Sequence, residues 1–243
     1  MKIVAIIQAR MGSTRLPGKI VRKVMDKTIL EYQLERVQQS KLIDEVIVAT
    51  TQKESDNVIV ALCQHLGIHV YRGSENDVLA RYYEAAVECK AGIIVRLTSD
   101  CPLIDAEVID QVIQLYLDRQ GEIDYASNIM ERTFPRGLDT EVFSFRALQK
   151  AYESASLERD REHVTAYLYT NPGEFQLGNI TSSQNLGSHR WTVDTEEDFE
   201  LIRRIIESLY PQKAIFTVQD IIELLDENPA WVEINAHIEQ KKL

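Results

Sequence analysis

The chain has 243 residues and a formal net charge of −11, with 44% hydrophobic and 27% charged residues, enough to bury a sizeable core and an ordinary balance for a soluble enzyme. Such acidity speaks against nucleic acid or an anionic membrane as partner, since both reward broad basic surfaces. The N-terminal apolar run, closed by Gln8 and Arg10, is too short for a membrane span or a secretory signal, and three scattered cysteines (Cys63, Cys89, Cys101) argue against a disulfide framework or a zinc site; a cytoplasmic, reduced protein is expected.

Residues 2–8 read as a buried strand and 28–40 as an amphipathic helix with Ile29, Leu30, Leu34 and Val37 on one face. A strand at 44–51 precedes a helix at 55–66 that Gly67 stops. A strand at 68–71, a helix at 77–89, a strand at 92–98 and a helix at 105–117 follow. Strands separated by helices of this length imply parallel pairing with right-handed crossovers. The second half is less regular, with strands expected at 124–127, 138–145 and 190–193. Helices are expected at 161–169, 195–209, 217–225 and from 229 to about 238. Thr195-x-x-Asp198 and Thr217-x-x-Asp220 fit capping boxes. With no repeat, low-complexity tract or linker, residues 1–243 are expected to form one domain.

Charge is unevenly placed. The first 25 residues hold six Lys and Arg and no acid, and three of these stand in the loop after the first strand: Arg10, Arg15 and Lys19. In an open parallel sheet, ligands gather at the carboxyl ends of strands. Arg forks and a mobile Lys suit phosphate oxygens, Ser13 adds a hydroxyl, and Gly12 and Gly18 let backbone N–H groups approach an anion. The loop is neither a P-loop, since Pro17 and Ile20 stand where that pattern needs Gly and Ser or Thr, nor a dinucleotide fingerprint. The competing reading is a solvated basic turn. Asp100 and Asp194 each end an apolar run; on one sheet rim with phosphate oxygens and water they would make a hard oxygen site suited to Mg²⁺. Singly, each fits a turn or a helix start equally well. Arg72, Arg81, Arg96 and Arg136 are candidates for a sugar acid or phosphate, with surface ion pairs as the alternative. Ser127 and Asn128 are candidates for reading a base or sugar, and His163 for substrate binding or proton transfer. Cys101, beside Asp100, has no base near it in sequence to make it a nucleophile.

Ala9-Arg10 followed by Ser13-Thr14-Arg15-Leu16-Pro17-Gly18-Lys19 resembles the signature loop of the sugar-acid cytidylyltransferases, the CMP-Kdo and acylneuraminate synthetases. Asp100-Cys101-Pro102-Leu103 resembles the family's Asp-x-Pro-Leu turn, and the segment from Phe134 to Glu141 and Arg190-Trp191-Thr192-Val193-Asp194-Thr195 are most similar to the spore coat polysaccharide biosynthesis protein F group of that superfamily. Gln8 stands where the Kdo and sialate enzymes usually carry Pro, and Ser99 and Cys101 replace the Gly and Glu of the Kdo-type turn, changes that bear on sugar specificity. The resemblance implies an α/β fold, a Rossmann-like three-layer sandwich of the nucleotide-diphospho-sugar transferase type with a mainly parallel sheet. It implies CTP and a sugar or sugar acid as substrates, Mg²⁺ as cofactor, and a homodimer built partly through the segment near 130–145. Arg10, Arg15 and Lys19 would hold the triphosphate, assisted by Ser13 and Gly12, and Asp100 and Asp194 the metal. Gln8, Ala9 and Thr98 would border the nucleotide, and Glu141 joins Arg72, Ser127, Asn128, Arg136 and His163 toward the acceptor. The implied activity is nucleotidyl transfer with release of pyrophosphate for a surface or spore-coat polysaccharide; a glycosyltransferase of related fold and a non-catalytic binding protein are the alternatives.

Overall fold

A computed structural model describes residues 1–240. Strand β1 (Ile3–Gln8) is apolar at every position but its last because it lies inside a sheet covered on both faces. Its side chains alternate: Ile3, Ala5 and Ile7 meet one helix layer, Val4 and Ile6 the other. A hairpin of β2 (Lys23–Val24) and β3 (Lys27–Thr28) leads into α1 (Ile29–Val37), whose start is a capping box between Thr28 and Glu31. Next come β4 (Glu45–Thr51), α2 (Asn57–His65), β5 (His69–Gly73), α3 (Val78–Glu88), β6 (Ile93–Thr98) and α4 (Ala106–Asp118). The second half supplies β7 (Tyr125–Ser127), β8 (Glu141–Ser144), α5 (Phe145–Ser154), α6 (Glu158–Glu162), α7 (Ala166–Thr170) and β9 (Leu177–Asn179). It ends with α8 (Glu196–Leu209), α9 (Val218–Glu227) and α10 (Pro229–Val232).

The seven strands lie in the order β5-β4-β1-β6-β8-β7-β9. β5, β4, β1 and β6 run parallel, β8 is antiparallel to both β6 and β7, and β9 is parallel to β7. Helices α1, α2 and α4 cover one face, and α3, α5 and α7 the other. The expected three-layer, mainly parallel sandwich is the fold found. The chain runs outward from β1 to β5, then returns to the far side of β1 to form β6. Connections therefore leave the carboxyl ends of β1 and β6 in opposite directions, which opens a crevice between them. A third apolar cluster, built on α8 and α9, packs Leu16, Leu103, Leu138, Trp191 and Val193 together and so binds the loops around that crevice.

Several expected elements differ. Residues 190–193 are not a strand: Arg190 makes only an isolated bridge to Arg136, and the segment is pinned by Trp191 N–H to Arg136 O at 2.7 Å and Val193 N–H to Asp100 O at 2.8 Å. Trp191 and Val193 alternate with polar neighbours because they face the third cluster, a burial that a pinned loop achieves as well as a strand. The strand expected at 138–145 begins only at Glu141, because Asn128 holds residues 138 and 140 through Nδ2 to Leu138 O (2.8 Å) and Thr140 N–H to Oδ1 (2.9 Å). The helix expected at 161–169 divides into α6 and α7 around His163 and Val164, the latter at φ 55°. The last expected helix stops at Val232. The β2–β3 hairpin, α5 and β9 are additions. Among the described residues no helix is long and apolar enough to cross a membrane.

Candidate active site

The crevice at the ends of β1 and β6 holds a cleft of about 240 Å³. Its floor is Gln8, Ala9 and Thr98, and one wall is the basic loop, with Arg10, Gly12, Ser13, Arg15 and Lys19 all at its surface. The loop is anchored from behind. Asp56, buried at the start of α2, accepts the Met11 N–H at 2.9 Å and the hydroxyls of Thr50 and Thr51. Met11 O in turn accepts the N–H groups of Ser13 (2.9 Å) and Gly18 (3.2 Å). Those two amides are thus occupied within the loop, and Gly18 contributes a left-handed turn (φ 68°) before the turn of helix that carries Lys19. In the sequence Asp56 carries no signal of this role, since a carboxylate before a helix reads as an ordinary cap.

Four candidates from distant parts of the chain meet here. The Lys19 ammonium lies 2.7 Å from Asp100 Oδ2 and 2.7 Å from Asp194 Oδ1. The other oxygen of Asp194 accepts Arg15 Nη2 and Arg190 Nη2, each at 2.8 Å. Arg190 is fixed by the fully buried Asp198, at 2.8 Å from Nε and 3.0 Å from Nη2. Asp198 also takes the N–H groups of Asp194 and Thr195 and Asn235 Nδ2. Its sequence signal, the N3 position of a capping box, announced only the helix start. Burial opposes charge on Lys19, but Asp100 and Asp194 outweigh it and the ammonium pKa is raised. Burial likewise pushes the Asp100 carboxyl up, yet the Lys19 charge and hydrogen bond prevail and hold it at about 2. The buried Cys101 thiol is pushed well above its ordinary value by burial and by Asp100, so it is no activated nucleophile.

A second cavity of about 180 Å³ adjoins the first, sharing Thr98 and His163. Glu141 lies in its wall, pairing through Oε2 with Arg96 and accepting the Tyr125 and Thr165 hydroxyls on Oε1. Arg96 Nη2 reaches Gln8 Oε1 at 3.2 Å, linking the two cavities. Arg81, on α3, is buried in the wall of the first cleft; its Nε has no partner, and burial together with nearby Arg10 lowers its pKa.

Four weaker candidates do not line either cavity. The Arg72 guanidinium is held by Thr51 O, Lys53 O and Asn57 Oδ1. Ser127 and Asn128 are buried and bond Asn179 and the 138–140 backbone. Arg136 serves through its backbone, bridging to Arg190. Each fulfils the local structural role that any residue following a strand can take, which spacing alone does not separate from ligand binding.

The two carboxylates already clasp one cation, the Lys19 ammonium, between them, so their spacing and chemistry fit a hard divalent ion. Among the described residues no cluster of three or more His, Cys, Asp or Glu gathers; such an ion would complete its shell with ligand oxygens and water.

Comparison with known proteins bears on the family and the fold. The chain is 34% identical over 234 residues to the spore coat polysaccharide biosynthesis protein SpsF of Bacillus subtilis, covering 93% of this chain and 95% of that one. A solved cytidylyltransferase structure from Leptospira borgpetersenii superposes with a TM-score of 0.92 at 38% identity over the whole of both chains. A CMP-2-keto-3-deoxy-manno-octonic acid synthetase complexed with CTP shares the fold (TM-score 0.65, 20% identity, 85% of this chain and 99% of that one). The profile of the family described as cytidylyltransferase matches residues 4–228. The protein belongs to the cytidylyltransferase family.

Proposed function

We propose that the protein transfers a cytidylyl group from CTP to a hydroxyl of a sugar or sugar acid in a Mg²⁺-dependent reaction, making an activated sugar for a surface polysaccharide. The observation that carries this reading is the convergence of Arg15, Lys19, Asp100 and Asp194 at the mouth of the sheet crevice. The CTP bound to the synthetase of like fold and the polysaccharide role of the Bacillus relative support it.

In this reading Gln8, Ala9 and Thr98 border the nucleotide, and Arg10, Arg15 and Lys19 donate to triphosphate oxygens. Asp100 and Asp194 hold a divalent cation, which supplies neutralisation of charge on those oxygens. The acceptor lies in the second cavity, between Glu141 and His163. Its hydroxyl oxygen bonds to the α-phosphorus, the bond from that phosphorus to the bridging oxygen breaks, and pyrophosphate leaves with the electron pair. His163, which lines both cavities, takes the hydroxyl proton in this reading. Two copies associate through the segment near 130–145, and the reaction proceeds in the cytoplasm.

The test is pyrophosphate release from CTP and Mg²⁺ across a panel of sugar acids and neutral sugars. Release that requires both CTP and an acceptor is expected, falling roughly a hundredfold in Arg15→Ala and more in Asp100→Asn. No pyrophosphate from any nucleoside triphosphate, or full turnover in Asp100→Asn, overturns the reading.

A further inference from the structure

Asp194 is saturated by cations of its own chain: Lys19 on Oδ1, Arg15 and Arg190 on Oδ2. Asp100 shares the same ammonium. The Lys19 ammonium lies between the two carboxylates that would hold a divalent ion, and the residue is itself only 9% exposed. The residues that would grip a triphosphate are thus the ones now neutralising the carboxylates.

The cost of opening this arrangement differs by ligand. A bare divalent ion must expel Lys19, and among the described residues that ammonium has no other carboxylate within ion-pair distance. It would be left facing Arg10, Arg15 and Arg81 in a cleft whose lining already carries four cations against three carboxylates. A triphosphate without a cation must instead pull Arg15 and Lys19 from their partners, leaving Asp100 bare and Asp194 with Arg190 alone beside its own charge. Arriving together, the cation takes the carboxylates and the phosphates take the released Arg15 and Lys19, so every charge finds an opposite one.

We propose that Lys19, with Arg15 as a second clasp, is a built-in placeholder that keeps the metal position closed in the free protein, so that divalent cation and nucleoside triphosphate enter as a coupled pair by exchange of partners. Arg190, locked by Asp198, does not exchange; it keeps one oxygen of Asp194 turned away and the other toward the shared position. The placeholder rests on the nucleotidyl-transfer reading and adds to it an order of events.

The experiment is titration of Mn²⁺ into nucleotide-free protein at neutral pH, with free ion read by electron paramagnetic resonance. The wild type should bind Mn²⁺ weakly, and Lys19→Met roughly tenfold or more tightly, because the carboxylates are uncovered. Arg15→Gln, at a more exposed side chain, should show a smaller gain and guards against a folding defect in the first variant. Adding Asp100→Asn to Lys19→Met should abolish the gain. Affinity unchanged or weaker in both single variants, or wild-type binding as tight as theirs, overturns the placeholder. The titration contains neither nucleotide nor acceptor. An inactive enzyme with the expected Mn²⁺ series therefore refutes the transfer reading alone, and an active enzyme with a flat series refutes the placeholder alone.

Discussion

At Asp100, burial and pairing pull in opposite directions. Burial favours the neutral acid, but the Lys19 ammonium at 2.7 Å and the Thr98 hydroxyl favour the carboxylate, and the result is a pKa of about 2 against an ordinary 3.8. A carboxyl depressed in the folded state stabilises it above the unfolded pKa, and that contribution is lost as pH falls through the folded value. The Lys19 pKa is raised, so the ammonium stays charged throughout this range. Between about pH 4 and pH 2 the thermal midpoint of the wild type should therefore fall more steeply than that of Asp100→Asn. Parallel curves would contradict the pairing. Residue types that carry chemistry were legible one by one, which is why Arg15, Lys19, Asp100 and Asp194 stood out. Their supports did not: Asp56, Asp198 and Arg190 act through what they hold, and a supporting carboxylate has the same sequence signature as a helix cap.

At the scale of elements, turns decide where the candidate residues point. Gly137 has φ 104°, and a Cβ there would stand 2.6 Å from both the carbonyl carbon and oxygen of Trp191. Only glycine lets the 134–138 turn lie against the segment that ends in Asp194. Gly121 has a similar φ of 92° but nothing within 4 Å of the added carbon, so it reports backbone strain alone. Gly121→Ala should lower stability by about 1 kcal/mol, and Gly137→Ala by about 2 kcal/mol more, since backbone must shift to admit the methyl. Urea unfolding of both variants measures the difference, and turnover should fall at position 137 only. The helix starts at Thr195 and Thr217 were readable because a cap is a local contract between two side chains and nearby amides. The alternation at 190–193 imitates a strand because it records burial against α8 and α9, elements that follow it in sequence.

For the molecule as a whole, the proposed pairing of two copies near 130–145 meets a constraint. Phe134, Leu138, Val142 and Phe143 from that segment are buried within the chain itself, whereas Met130 is 48% exposed. Met130 is the apolar group left to cover. Sedimentation equilibrium should show a dimer that Met130→Asp shifts toward monomer; a wild type that stays monomeric at all concentrations removes the pairing.

Periodicity and composition determined the layered architecture, because a strand buried on both faces must be apolar throughout and each crossover helix must hide one stripe. They also singled out the loop after β1, because an acidic chain gathers six cations before residue 26, and three of these, Arg10, Arg15 and Lys19, line the cleft. What only the tertiary structure decided is who meets whom. The sheet order returns β6 to β1 and brings Asp100 to the basic loop, while the third apolar cluster carries Asp194, nearly a hundred residues further on, to the same ammonium. Pairing between distant charges follows from packing of the apolar surfaces that carry them, and a linear pattern holds no record of that distance.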